Sequence, residues 1–491
     1  MVKPIYIAGE WKHGRGGVVP SVFPADGSVN AEIATAGVED VEEAVRVAEV
    51  AWRQSQWRQS LPLERARILY RVADLITARA TELAALQTRD NGKPLAETMG
   101  LVMSAAGTAR YFAAVCETLD DELPSQRSRE FMTASVYEPV GIVAAITPWN
   151  SPIASEMQKI APALAAGNAV IVKPAEATPL AALELAKLFE EAGLPKGLLS
   201  VLPGSGPLVG EALAKHPLVR KISFTGGTNT GRHLAHIAAD KLIPTSLELG
   251  GKSPTIVMPD ADLDMAARGI CYGIFSSAGQ ACIAGARLFV HRKVYQPLLD
   301  RLLQLTRGLK VGHPEQPGTH IGSLISAEHL QKVASYVDRA RADGGEVLCG
   351  GKRLTGKTDS CDYDAGNFFE PTIISGLDNR SAVCQEEIFG PVLVVLPFDD
   401  EQQLLADAND SLYGLAAGIW SENFRHSWAL ARKLEVGTVW INTYKKFSIA
   451  APFGGFKESG LGREKGRQGV LAYMQQKSIY VGLSDEPNPW A

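Results

Sequence analysis

Residues 141–150 read Gly141-Ile142-Val143-Ala144-Ala145-Ile146-Thr147-Pro148-Trp149-Asn150. Five apolar residues in a row, closed by a Thr-Pro turn, predict a short strand buried on both faces over Ile142 to Ile146. Similar runs follow at Ala169 to Val172, Leu198 to Leu202 and Lys221 to Phe224, separated by helix-forming stretches. Strand, helix, strand alternation of this kind builds a parallel sheet whose ligands lie at the carboxyl ends of the strands. Asn150, just past such an end, is placed to meet one; its other reading is a cap for the helix that opens after Ser151 and Pro152.

Outward from this block, Val41 to Trp57 and Leu63 to Gln87 carry apolar residues at helical spacing and predict that the N-terminal third opens with amphipathic packing helices. Leu119 to Glu138 is largely polar without helical period and suits an extended hairpin, and Ser478 to Gly482 is a further candidate strand. From Lys252 to Trp440 the alternation repeats, with strands near Thr255 to Val257, Ala286 to Val290, Val392 to Pro397 and Thr438 to Ile441. The expected fold is therefore α/β, with two Rossmann-like parallel-sheet domains. Residues 1–118 and 140–250 form the first, 251–458 the second, and 119–139 with 474–491 a β arm.

The 491 residues, 46% hydrophobic and 21% charged, are enough for more than one core. A net charge of −5 with no dense Lys/Arg block gives no electrostatic footprint for nucleic acid or an anionic membrane. Met1 to Trp11 is too short and polar for a secretory signal, and no window is expected to reach membrane-spanning length. Six cysteines without CxxC spacing argue against a zinc site or a disulfide framework and fit a reducing, cytoplasmic setting.

Chemistry concentrates in four runs. Phe224-Thr225-Gly226-Gly227-Thr228-Asn229-Thr230-Gly231 follows a strand and precedes the helix Arg232 to Asp240. Gly226 and Gly227 let backbone approach a pyrophosphate, and the helix N-terminus adds about half a positive charge. The spacing is G-x-x-x-x-G, so the usual GxGxxG fingerprint is absent, and a glycine-rich turn without a ligand is the competing reading. Lys173-Pro174-Ala175-Glu176 closes another strand, where its charges alone suit a solvated surface pair. Cys282, in Gly279-Gln280-Ala281-Cys282, is a candidate nucleophile, and Glu248, in Leu247-Glu248-Leu249-Gly250-Gly251-Lys252, a candidate base. Taken singly, Cys282 reads as an inert buried thiol and Glu248 as a paired carboxylate.

These runs occur in one order with Asn91-Gly92-Lys93-Pro94, Glu386-Glu387-Ile388-Phe389-Gly390-Pro391 and Gly460-Leu461-Gly462-Arg463-Glu464. In that order the chain resembles the NAD(P)-dependent aldehyde dehydrogenase superfamily over almost its whole length. The resemblance implies a Cys282 thiolate that attacks an aldehyde, an oxyanion held by Asn150 and the Cys282 backbone N–H, a thioester, and hydrolysis by water that Glu248 activates. It implies a cofactor site of Ile146, Thr147, Trp149, Lys173, Glu176, Gly226, Gly227, Leu249, Gly250, Glu387 and Phe389. Lys173 and Glu176 hold the adenosine ribose there, and the Glu176 carboxylate favours NAD over NADP by repelling a 2′-phosphate.

The resemblance also implies that the β arm joins copies of the chain into a homodimer or homotetramer, and that Glu464 relays protons behind Glu248; a surface carboxylate is the other reading of Glu464. Two positions depart from the family's pattern: Gly227, where Ser is frequent, and His329, where Gln or a similar residue is usual. The implied aldehyde pocket is lined by Ser151, Ser155 and Gln158 on one helix, by Ile283, and by Tyr444, Lys445, Phe447 and Phe453. Several relatives carry bulky aromatics at the first and third of these positions, so the pocket is expected to be wider or more polar here. Lys445 or Lys446 is a candidate partner for a substrate carboxylate, with two solvated loop lysines as the alternative. The competing functions are a coenzyme A-acylating aldehyde dehydrogenase, which Glu248 argues against, and a catalytically silent structural relative, which retention of Cys282, Glu248 and Asn150 argues against.

Overall fold

In the computed structural model, which describes residues 2–54, 56–484 and 490, the Ile142–Ile146 strand lies inside an eight-stranded sheet with all five residues buried. Ala169–Lys173 and Val219–Thr225 flank it in parallel, and Leu199–Val201 and Thr245–Glu248 continue the parallel pairing outward. Numbered along the chain, these five strands stand in the order 3-2-1-4-5. The order reverses between Ile142–Ile146 and Val219–Thr225, so the loops leaving their carboxyl ends diverge and open a crevice. Asn150 follows one of these strands and Gly226 the other. The antiparallel pair Ile5–Ile7 and Glu10–Lys12 closes one edge of the sheet, and Gly460–Leu461 pairs with Thr245–Glu248 at the other.

A second sheet of seven strands runs in the order Glu346–Cys349, Thr372–Ser375, Val392–Phe398, Arg287–His291, Pro254–Val257, Ala416–Trp420, Thr438–Ile441. Only its first pair is antiparallel. Each large sheet has its own apolar core.

Four expectations need correction. Leu63 to Gln87 is not one helix but two, Pro62–Ala78 and Ala80–Asn91, broken where Arg79 leaves helical geometry (φ −105°, ψ 20°) so that each piece buries its own face. The expectation that no segment is long and apolar enough to span a membrane fails for Leu95–Glu117, which has 23 residues. Its buried alanines 105, 106, 109 and 113 let it pack closely against Pro62–Ala78 and Pro152–Ala165 in the first core. The chain also begins with short strands, including the Gly17–Val22 and Val29–Thr35 hairpin, before any helix.

The fourth concerns the arm. Leu119 to Glu138 folds back on itself but not as a regular hairpin: Glu122 and Ser135 form a single bridge, and the Gln126 side chain joins the Thr133 backbone. Phe131–Pro139 instead pairs antiparallel with Met474–Gly482 along its whole length, a distant partner that satisfies its backbone. Of the stretches assigned from sequence, Met1, Ser55, residues 485–489 and residue 491 lie outside the described residues.

Candidate active site

A cleft of about 560 Å³ opens where the strand order reverses. Its walls include Ile146, Thr147, Trp149, Asn150, Lys173, Glu176, Gly226, Gly227, Leu249, Gly250, Glu387 and Phe389, and Glu248 and Cys282 both reach it. Three groups separated by about a hundred residues or more of chain in two of the three pairings thus share one space with the glycine turn.

The loop carrying Cys282 is bent into place. Ser277, Ala278 and Gly279 take φ of 60°, 52° and 71° in succession, a left-handed path that costs free energy at the two non-glycine positions. Glu97 holds the turn by accepting from the Ser277 N–H (2.9 Å) and from its hydroxyl (2.6 Å). At Gly279 a Cβ would stand 2.1 Å from the Gly390 carbonyl oxygen, so only glycine fits. Gln280 Oε1 accepts from the Ile325 N–H at 2.9 Å, and its carbonyl accepts from Asn150 Nδ2 at 3.0 Å. One Asn150 amide proton is thereby fixed, which sets the direction of the other. Past Glu248 the backbone runs against this loop: a Cβ at Gly251 would lie 2.3 Å from the Cys282 carbonyl oxygen.

Glu248 ends the Thr245–Glu248 strand and pairs with Gly460 across the sheet edge. Its side chain is buried against Gly454, and neither carboxylate oxygen has a hydrogen-bond partner among the described residues. Burial, then the nearby Glu464 carboxylate, holds its pKa well above the usual range. Glu464 is itself buried and accepts from Lys159 Nζ at 2.5 Å, so the surface reading of this residue is wrong. Lys159 also donates to Ser223 Oγ at 3.2 Å, and the Tyr473 hydroxyl contacts the same oxygen at 2.9 Å. Burial, then the carboxylates of Glu387 and Glu248, pushes the Cys282 thiol up to about 12, with Lys445 and Lys465 opposing. The thiol needs added positive charge or a base before it can attack.

On the nucleotide side, the helix Thr228–Lys241 starts at Gly227 with no side chain capping its first N–H groups. A Cβ at Gly227 would meet open space, so these groups remain free for an anion. Glu176 Oε1 accepts from the Gly206 N–H at 2.7 Å, which fixes the carboxylate beside the buried Lys173. Glu387 Oε1 accepts from the Gly251 N–H at 2.9 Å. Phe389 holds φ of 60°, and His329 Nε2 donates to its carbonyl at 2.7 Å. Both rings stand edge-on to Trp149, at 5.2 and 5.5 Å, so His329 secures a strained lip of the cleft.

The residues assigned to an aldehyde pocket separate into two kinds. Ser151, Ser155 and Gln158 fall one helical turn apart at the start of Pro152–Ala165 and are partly exposed. Ile283 and Phe453 pack beside Cys282, and Phe447 meets Phe453 edge-on at 5.5 Å. Tyr444 is a prop rather than a lining residue: it is buried on Gly273, Gly285 and Gly418 and donates its hydroxyl to the Ile283 carbonyl at 3.0 Å. Lys445 turns inward, whereas Lys446 is exposed, so only the first of the two candidate lysines faces Cys282. Glu97 and Lys465 escaped the sequence reading. Lys465 directly follows the quoted run ending at Glu464, and that adjacency was the available signal.

The family model for the aldehyde dehydrogenase family matches residues 11–479. The DhaS protein of Bacillus subtilis is 40% identical over 486 residues, 98% of this chain and 96% of that protein. An aldehyde dehydrogenase of Bacillus cereus, solved as its NAD+ complex, superposes with a TM-score of 0.95 at 38% identity, covering 99% of this chain and 97% of the other. The betaine aldehyde dehydrogenase of Staphylococcus aureus, also solved with NAD+, gives a TM-score of 0.97 at 36% identity over 100% and 96%. The chain belongs to the aldehyde dehydrogenase family, enzymes that oxidise aldehydes.

Proposed function

We propose that the protein oxidises an aldehyde to a carboxylic acid with NAD in preference to NADP, through an acyl group carried on Cys282. The observation that carries this reading is the shared cleft, in which Cys282, Glu248 and Asn150 meet an uncapped helix N-terminus and the Lys173–Glu176 pair. Free N–H groups at Thr228 and a fixed carboxylate at Glu176 suit a pyrophosphate and a ribose diol, so the residues fit a dinucleotide. Bound NAD supplies the hydride acceptor. Cys282 Sγ attacks the carbonyl carbon, and Asn150 Nδ2 with the Cys282 N–H stabilises the oxyanion. Once hydride has left the tetrahedral carbon, the substrate remains as a thioester on Cys282. Glu248, unpaired and facing the same space, takes a proton from water that attacks this thioester, and the Glu464–Lys159 pair behind it offers an onward path for the proton.

Asn150→Ala should lower kcat about 10²- to 10³-fold while the KM for NAD stays near its original value, since the lost donor acts on the oxyanion. Steady-state absorbance of NADH checks this; an unchanged kcat would assign the oxyanion to other donors. Glu176→Gln should raise the NADP-to-NAD ratio of kcat/KM about tenfold or more, because the like-charge repulsion of a 2′-phosphate is removed. Equal ratios in both proteins would place cofactor choice elsewhere.

The exposed apolar side chains Ile479, Tyr480, Val481 and Leu483 on the Phe131–Pro139 and Met474–Gly482 arm support self-association into a homodimer or homotetramer through this sheet. Six free thiols suit a reducing, cytoplasmic setting.

A further inference from the structure

We infer that the aldehyde taken by this site carries a carboxylate at the end remote from the carbonyl, and that Lys465 and Lys445 hold it. The inference deepens the proposed function and rests on Cys282 as the nucleophile.

Lys465 is 7% exposed, and its ammonium lies 3.9 Å from the ring centroid of Phe447 and 4.9 Å from that of Phe453. Phe453 packs in the small apolar cluster that includes Cys282 and Ile283, so this charge stands over the aromatic wall next to the nucleophile. Nζ has no hydrogen-bond acceptor and no ion pair among the described residues. A buried ammonium is costly unless an anion meets it. The carboxylates near it do not do so: Glu464 is bonded to Lys159, and Glu248 has no hydrogen-bond partner on either oxygen.

Lys445 repeats the pattern from the neighbouring loop. It donates to Ser276 Oγ at 2.8 Å and lies 5.9 Å from the Tyr272 ring, again without a carboxylate partner. The nearest carboxylate, Glu97, spends both oxygens on Ser277 and also faces the buried Lys93. Both lysines hold a positive φ, 54° for Lys445 and 59° for Lys465. Lys93 and Lys445 thus share Glu97 on one side of Cys282, and Lys465 approaches Cys282 from the side of Glu248 and Glu464, neither of which bonds it. Burial lowers the pKa of all three lysines, with Lys445 brought to about 8, a penalty that an arriving anion relieves.

The test compares kcat/KM for 4-oxobutanoate and 5-oxopentanoate with that for butanal and pentanal, in the parent enzyme and in Lys465→Met, Lys445→Met and Lys465→Arg. The parent should prefer the carboxylate-bearing member of each pair, and either Met variant should lower that preference about 10- to 100-fold, as loss of a charge-assisted hydrogen bond does. Lys465→Arg should restore most of it. A parent enzyme that oxidises the neutral aldehydes without preferring the anionic ones overturns the inference and leaves the proposed function standing. So does a Met variant whose two rates fall together, since that marks a lysine serving Glu248 or the fold. No NADH from any aldehyde overturns both readings. The parent enzyme gives a second readout that needs no variant: raising salt should increase the KM for 4-oxobutanoate and not that for butanal, and equal responses count against the inference.

Discussion

Cys282→Ala should form no NADH with any aldehyde above about 10⁻⁴ of the parent rate, because the covalent route loses its only nucleophile. No other thiol can substitute. Cys116, Cys271, Cys361 and Cys384 are buried, and Cys349 lies in the far edge strand of the second sheet. Of the six thiols Cys282 alone touches the cleft, so activity should fall in proportion to its own labelling by iodoacetamide and not to labelling of the others. Binding of NAD, followed by quenching of tryptophan fluorescence, should survive the substitution, since the pyrophosphate and ribose contacts are carried by other residues. A variant keeping a tenth of the parent activity would mean that the aldehyde is oxidised without a thioester.

Glu248→Gln should separate the two halves of the reaction. Oxidation needs the thiolate and the oxyanion donors, whereas release of the acid needs the base; the variant should give a rapid burst of about one NADH per chain and then a kcat about 10²- to 10⁴-fold lower. The pH profile follows from the direction of the shift. Burial and Glu464 raise the Glu248 pKa, so the ionised base is scarce at low pH and grows as pH rises; acid release in the parent should therefore accelerate toward alkaline pH. In the Gln variant that rising limb should vanish from the slow phase. A Gln variant with neither burst nor slowed turnover would show that Glu248 only occupies space.

Much of this was readable from the chain because the signals are local. Runs such as Ile142 to Ile146 are apolar over their whole length, as strands covered on both faces must be, and the turns after them carry the glycines and Asn150. Illegible features depend on distant partners or on single backbone angles. The two arm segments were legible, but not that Phe131–Pro139 takes its whole ladder from Met474–Gly482, over three hundred residues later. Lys445 and Lys446 are neighbours of identical chemistry, and the left-handed φ at Lys445 accompanies one side chain turning in and the other facing solvent. Tyr444 reads as a pocket residue, yet three glycines from separate elements make the recess that buries it. Glu97 shows no motif of its own, and its role exists only because Ser277 and Ala278 are bent into a strained turn.

The central claim is that Cys282 carries the acyl group between two steps and that Glu248 ends its stay. Mixing Glu248→Gln protein with NAD and an aldehyde that the parent enzyme oxidises, quenching in acid after the burst, and mapping peptides by mass spectrometry addresses it directly. The peptide containing Cys282 should gain the mass of the acyl group, removable by hydroxylamine, in step with the NADH formed. NADH produced while Cys282 stays unmodified would contradict it.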